Sequence, residues 1–427
     1  MGALTFLGAF LLALAVAGVL PRQSAPRAQP SFVRPTFDAA LVGRGATLVA
    51  IGNCGTCHTA EGGKTLAGGR PLITPFGTVH STNLTPDPDT GIGRWSQGDF
   101  LRAMHEGIGR DGQQLYPAFP YDHYTQVDEE DVNAIFAYLM TREPIRAETP
   151  ANRMLVARPF VAFWKALYFK QGPLAPDSAH DAEWNRGRYL TEGLGHCGAC
   201  HTPRNAFGAE ERERQLAGGR IDGWSAPALN AQSPAPHPWS VDELTSYLRT
   251  GFSARHGVAA GAMAPVTRNL GMVPAGDVRA IAVYVVSQMR GARTDVADAP
   301  AGEGAQNAED AVPDALGTAN AADGASIFRS ACAGCHERTR RAVSLALSSA
   351  VTDTTSANLI RVTLEGIRPP EGEPGGIMPG FGGALTDRQM AALADYVRTQ
   401  IGHAPAWTDV EREIARARDE RKAPATS

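Results

Sequence analysis

The sequence predicts an all-α protein: three small helical domains in tandem behind an N-terminal hydrophobic helix. Two observations carry this. One five-residue motif stands three times in the 427 residues, as Cys54-Gly55-Thr56-Cys57-His58, Cys197-Gly198-Ala199-Cys200-His201 and Cys332-Ala333-Gly334-Cys335-His336. Around each copy the same pair of amphipathic helices recurs, one leading into the motif and one closing the unit. Length agrees, because 427 residues exceed one ordinary core and suit about three domains.

From the N-terminus, Gly2 to Leu20 carries no charge and is followed by Pro21, Arg22 and a Pro/Ala/Gln/Ser stretch to about Pro35. Such a run of 19 residues is long enough to span the hydrocarbon layer as a helix. It exceeds the usual apolar stretch of a removable signal, no positive region precedes it, and no small-x-small site closes it. An uncleaved anchor is therefore preferred to a cleaved export signal, and residues 1–35 form the anchor or signal and its leader.

The three units follow at 36–145, 181–290 and 323–403. Each opens with a Gly-led helix: Gly45-Ala46-Thr47-Leu48, Gly187-Arg188-Tyr189-Leu190 and Gly324-Ala325-Ser326-Ile327. Each closes with a helix bearing an aromatic. Asp131 to Tyr138 and Asp277 to Tyr284 share D-V-x-A-I-x-x-Y, and Met390 to Val397 is a looser copy. Apolar residues at i, i+3, i+4 and i+7 give each helix one buried stripe. Helices bracketing such a motif are the plan of class I cytochrome c domains.

The motif itself is the attachment site of a c-type haem. Two thiols three positions apart each add across one haem vinyl group, and the next imidazole is carried to the iron. Cys54, Cys57, Cys197, Cys200, Cys332 and Cys335 are all consumed in this way, which predicts three covalently bound haem c with His58, His201 and His336 as proximal ligands. A zinc site is disfavoured, because no cysteine pairs are left to complete a tetrahedron. Haem attachment of this kind places the chain on the outer, periplasmic face of the bacterial inner membrane. A net charge of -4 with no basic cluster argues against nucleic acid.

Between the units, residues 146–180 form an aromatic-rich connection. Arg153 to Lys170 sets Phe160, Phe163, Trp164, Leu167 and Tyr168 at helical spacing, with Arg158, Lys165 and Lys170 among them. Packing within the protein is the preferred reading, with a membrane surface or a partner subunit as alternatives. Residues 291–322 are rich in Ala, Gly, Asp and Glu and read as a flexible tether. Residues 404–427 read as a charged tail, with Thr408 to Lys422 a solvated helix or a frayed end. Leu66-Ala67-Gly68-Gly69-Arg70 recurs as Leu216-Ala217-Gly218-Gly219-Arg220. Its glycines are expected to let backbone pass close to the porphyrin, and its arginines to reach a haem propionate or stand solvated.

Several longer stretches carry a resemblance. Thr74-Pro75-Phe76-Gly77-Thr78-Val79-His80-Ser81-Thr82-Asn83-Leu84-Thr85-Pro86-Asp87, Gly91-Ile92-Gly93 with Trp95, and Leu115-Tyr116-Pro117-Ala118-Phe119-Pro120-Tyr121 resemble the triple-haem cytochrome c subunits of membrane-bound bacterial dehydrogenases. Gly195-His196-Cys197-Gly198-Ala199-Cys200-His201-Thr202-Pro203-Arg204-Asn205 and the Phe119 loop look most like subunits paired with molybdenum hydroxylases. Related subunits serve alcohol and gluconate dehydrogenases. The resemblance implies a dehydrogenase catalytic partner with molybdenum-cofactor and iron-sulfur subunits, and a quinone or terminal oxidase as acceptor.

A thioether opposite the proximal His raises the potential. Met378, in Met378-Pro379-Gly380-Phe381, and Met263, in Gly261-Ala262-Met263-Ala264-Pro265, stand in Gly/Pro-rich loops ahead of the closing helices and are expected as distal ligands. In the first unit Phe119 stands where many relatives carry Met. His123, four residues on, is the preferred ligand; Met104, His105 and an open iron are the alternatives. His196 reads as an exposed or haem-edge side chain. No substrate pocket with paired acid and base groups is evident, so no catalytic residue is assigned. The chain is expected to be an electron-transfer subunit; the alternative is a multihaem enzyme of peroxidase or reductase type working at an open first haem.

Overall fold

The computed structural model describes residues 35–290, 319–337, 342–369 and 377–422. The apolar run from Gly2 to Leu20 and most of the tether lie outside the described residues. Among the described residues no helix is long and apolar enough to cross a membrane. The chain forms two compact units, one of residues up to 199 with 205–209 and 272–281, the other of 200–204, 210–271 and 282 onward.

In the first unit, helix Ala39–Ile51 starts at Asp38, whose carboxylate accepts from the amides of Ala40 and Leu41. It crosses helix Glu129–Met140 at Gly45, where a Cβ would stand 2.0 Å from the Ala134 carbonyl oxygen and 2.8 Å from the Tyr138 Cβ. Only glycine permits that approach. Leu48, Ile51, Val132, Ile135 and Leu139 are buried in this unit's core. Helix Gln97–Glu106 opens with a reciprocal cap between Ser96 and Asp99 and closes on left-handed Gly107. The Asn83 and Asp87 side chains tie down the loop before it: Asn83 donates to the Ile145 carbonyl and Asp87 accepts from the Thr90 amide and hydroxyl.

The entry helix of the second repeat, Ala182–Arg188, belongs to the same unit and widens into a π-turn over Tyr189–Leu194. Arg186 pairs with Asp277 at 2.9 Å and Arg279 with Glu183 at 3.1 Å, joining entry and closing helices. The Tyr189 hydroxyl donates to Asp131 at 2.7 Å, so the two repeats share a buried polar joint.

The connecting segment contains helix Pro159–Tyr168, which packs within this unit. Val161 is buried, and the Lys165 ammonium donates to the carbonyls of Glu106 and Gly107 and to Gln114 Oε1 at 2.6 Å. Lys165 thereby caps the C-terminus of helix Gln97–Glu106, and burial lowers its pKa to about 8.

In the second unit, helix Val241–Thr250 repeats the earlier design, with a Ser240–Glu243 cap and left-handed Gly251. The third repeat pairs helix Ala319–Ala331 with helix Asp387–Tyr396. Here Gly324 takes the place of Gly45: its Cβ would stand 2.2 Å from the Ala392 carbonyl oxygen and 2.8 Å from the Tyr396 Cβ.

Two sequence expectations change. The described residues are mostly helical but include a three-stranded sheet of Pro71–Thr74, Gly77–His80 and Arg153–Met154, and two hairpins, Gly219–Ile221 with Trp224–Ala226 and Phe252–Ser253 with Gly257–Val258. The C-terminal segment is not a solvated tail. Helix Val410–Lys422 buries Val410, Ile414 and Ala417 in the core around Phe328, Ile360 and Met390.

Candidate haem centres

Each motif lies on a single short turn of helix, Cys54–Cys57, Gly198–His201 and Ala333–His336. The first two are entered in the same way. The residue before the first cysteine, Asn53 or His196, is left-handed, with φ of 50° and 38°. Asn and His are among the side chains that tolerate this region, and the kink turns the chain from the entry helix into the motif. Burial, and then the neighbouring Cys57, push the Cys54 thiol up to about 12, so it is neutral before it reacts.

The imidazoles of the three motif histidines are oriented alike. Nδ1 of His58 meets the Thr82 carbonyl at 2.6 Å, that of His201 the Pro227 carbonyl at 2.7 Å, and that of His336 the Val343 carbonyl at 3.3 Å. A carbonyl accepts only, so each bond places the proton on Nδ1 and the lone pair on Nε2. Burial lowers the pKa of His58 and of His201 and keeps both neutral. This donor set, two thiols and a neutral imidazole held in one tautomer, fits a covalent haem.

The repeated Leu-Ala-Gly-Gly-Arg segment holds those carbonyls in place. The Gly68 amide donates to the His58 carbonyl and the Gly218 amide to the His201 carbonyl, both at 2.8 Å. The Leu84 amide bonds back to Leu66, and the Leu229 amide to Leu216, again at 2.8 Å. Leu66 and Leu216 themselves have φ of 62° and 57°, a strained conformation for leucine kept in both copies. The close approach expected of the glycines is therefore made to the protein's own backbone: a Cβ on Gly219 would stand 2.3 Å from the Cys200 carbonyl oxygen. The arginines are engaged too. Arg70 donates to the Thr56 carbonyl inside the motif at 2.8 Å, and Arg220 pairs with Glu413 at 2.7 Å.

The distal side can be compared between repeats through one backbone bond. The Leu115 amide donates to the Gly107 carbonyl, and the Ala259 amide to the Gly251 carbonyl, both at 2.8 Å. Four residues beyond these amides stand Phe119 and Met263, so phenylalanine occupies in the first repeat the place of methionine in the second. On the same alignment Met104, buried, matches the buried Leu248. That equivalence gives Met104 a packing role. His105 turns Nε2 to the Val127 carbonyl at 2.8 Å. In the third repeat two reciprocal backbone bonds of 2.9 Å tie Met378 to Ile367, next to left-handed Gly366.

His123 is buried on the short helix Tyr121–Tyr124, and its Nδ1 meets the Glu192 carbonyl at 2.6 Å. It carries the same tautomer as the motif histidines His58, His201 and His336. The neighbouring Tyr124 ring lies 5.3 Å from that of Phe119 and 5.5 Å from that of His196. Burial above all, and then the nearby Cys54 and Cys57 thiols, hold its hydroxyl well above the usual tyrosine range. Tyr124 thus stands between the first motif and the residue that opens the second. Sequence reading missed Thr82, Pro227 and Val343, whose role is carried by main-chain oxygen; aligning Leu84 with Leu229 was the signal that would have found the first two.

Comparison with known proteins gives two family matches: cytochrome c over residues 42–143 and cytochrome c oxidase, cbb3-type, subunit III over residues 319–397. The chain is 46% identical over 394 residues to a nicotinate dehydrogenase subunit of Pseudomonas putida, a match covering 90% of this chain and 32% of that protein. It therefore spans about a third of the length of that relative. It is 36% identical to the fructose dehydrogenase cytochrome subunit of Gluconobacter japonicus, covering 90% of this chain and 84% of the relative. With the gluconate 2-dehydrogenase cytochrome c subunit of Pantoea cypripedii it shares 35% identity, covering 89% and 90%.

Proposed function

Since this chain belongs to the family of dehydrogenase cytochrome c subunits, we propose that it takes electrons one at a time from a dehydrogenase catalytic subunit and delivers them to a membrane quinone or a terminal oxidase. The observation that best supports a relay is the approach, within the first compact unit, of the segment leading into the first motif to the segment leading into the second. A Cβ on Gly52, two residues before Cys54, would stand 3.2 Å from Leu194, three residues before Cys197, and Tyr124 and His196 meet beside them. Bound haem would supply an iron that cycles between its ferric and ferrous states. The protein's part is to hold each imidazole in one tautomer, to exclude water, and to keep successive motifs close.

Three covalent haems are proposed, on Cys54 and Cys57, Cys197 and Cys200, and Cys332 and Cys335. Their proximal ligands are His58, His201 and His336, and Met263 and Met378 are the distal ligands of the second and third. His123 is assigned to the first, supported by its burial and by the Nδ1 bond to Glu192 that it shares in kind with the proximal histidines. With His123→Ala, one haem in three should become high-spin and open to carbon monoxide, while Met104→Leu should leave the spectrum unchanged. The opposite pair of outcomes moves the ligand to Met104.

The favoured partner is a molybdenum hydroxylase with iron-sulfur subunits, supported by the likeness to the Pseudomonas putida nicotinate dehydrogenase chain. The site of action is the periplasmic face of the inner membrane. Affinity isolation of the tagged chain from host membranes tests the partner: molybdenum and iron-sulfur clusters should co-purify. A flavin or quinone cofactor in their place would instead align the complex with the fructose or alcohol dehydrogenases.

A further inference from the structure

Helix Pro159–Tyr168 has two apolar faces. Val161 faces the protein, with Trp164 half-buried and its indole N–H donating to the Phe207 carbonyl at 3.0 Å. Phe160, Phe163 and Leu167, at i, i+3 and i+7, are 66%, 64% and 60% exposed. Phe207, exposed, stacks on Tyr168 at 6.2 Å and extends this stripe. Leu155, whose amide donates to the Phe76 carbonyl, and Ile73 add two more exposed side chains from the adjoining sheet. Seven of the ten large apolar residues left exposed among the described residues thus belong to this one unit, and all but Met272 lie on this helix, on Phe207 against it, or on the adjoining sheet. A surface of this kind marks an interaction site.

Charge selects the occupant. Residues 149–176 contain Arg153, Arg158, Lys165 and Lys170 and not one Asp or Glu, although the whole chain is acidic with a net charge of -4. Arg153 and Lys170 are exposed. Aromatic side chains beside outward cations suit an anionic lipid surface, where rings sink to the acyl boundary and cations meet headgroups. Reach agrees as well. Only 14 residues separate the apolar run ending at Leu20 from Pro35, so Pro35, at the start of the described part of this unit, is held within roughly 50 Å of any bilayer that run enters.

We propose that the Phe160/Phe163/Leu167 face lies flat in the headgroup region of an anionic membrane, a second and peripheral contact beside the N-terminal run. This rests on the membrane siting proposed above and not on electron transfer. The test uses the full haem-loaded protein in phosphatidylglycerol-containing vesicles that carry a photoactivatable phospholipid, with crosslinked peptides identified by mass spectrometry. Peptides covering 159–170 should be labelled. Phe160→Asp with Phe163→Asp should lower that labelling at least about tenfold, as expected for losing two inserted rings, while the haem content and absorption spectrum stay unchanged. Labelling confined to residues before Pro35, or no lipid labelling of 159–170 until a dehydrogenase partner is removed, overturns the proposal. Because no electron flow is read, a failure here leaves the relay reading standing, and a failure of the relay leaves this result intact.

Discussion

Nδ1 of each motif histidine meets a main-chain carbonyl, so the nitrogen left free for the proposed iron bond is set by loops that themselves carry no chemistry. The histidines were legible because they are fixed in the motif; their carbonyl partners were not, since any residue type supplies one. The distal side divides similarly. If Met263 and Met378 both bind iron, Met263→Leu or Met378→Leu should each halve the thioether-to-iron absorption at the red end and lower one haem's potential. An unchanged band in both variants would remove these ligands. A different residue sets acid stability. His256 is buried, stacks on Trp239 at 3.5 Å, and has its Nε2 3.8 Å from Glu243, beyond hydrogen-bonding distance. Burial lowers its pKa to about 4 from 6.5. The unfolded chain takes up that proton first, so stability from this site is intact above pH 6.5 and falls as the pH drops toward 4. Thermal unfolding followed by circular dichroism should lose on the order of 5 °C across that window, and His256→Phe should flatten the loss. Glu243, whose pKa is lowered chiefly by its Ser240 bonds against a burial cost, acts in a lower window, below its ordinary carboxylate range.

At the scale of elements, the glycines of the entry helices were readable as a repeat, and their purpose is the helix crossing. Gly45→Ala or Gly324→Ala forces a methyl against a carbonyl oxygen and should cost about 1–3 kcal/mol or more. Gly43→Ala, on the same helix with nothing within 4 Å, should be neutral or stabilise by up to about 1 kcal/mol. Chemical denaturation of the haem-loaded variants separates the two outcomes. Equal effects at Gly43 and Gly45 would show that helix propensity and not crossing governs the site. The strands were not legible, because two to four residues hold no period of alternation. The helix Val410–Lys422 was misread for a related reason. Its inward stripe is only Val410, Ile414 and Ala417, and the surrounding charges are absorbed by specific pairs, such as Glu413 with Arg220 and Arg361 with Glu420. Ile414→Ala should therefore destabilise by about 2–5 kcal/mol, a loss that a solvated tail would not show.

For the whole molecule, the threefold motif announced the bracketing helix pairs, which the described residues group into two compact units, and the stretch from Thr74 to Tyr121 carried the family. The relatives bear out that family. The connecting helix required the structure: its spacing announced one buried stripe, whereas Val161 and Lys165 face inward while Phe160, Phe163 and Leu167 face out. Composition does not distinguish the two faces, because the half-buried Trp164 and Tyr168 are as aromatic as the exposed Phe160 and Phe163. The central claim is that three haems on one chain serve transfer alone. A coulometric reductive titration of the haem-loaded protein, followed optically and repeated under carbon monoxide, tests it most directly. Three electrons should be taken up per chain, with spectra indifferent to carbon monoxide. Uptake of two electrons, or a haem that shifts when carbon monoxide is added, would contradict it.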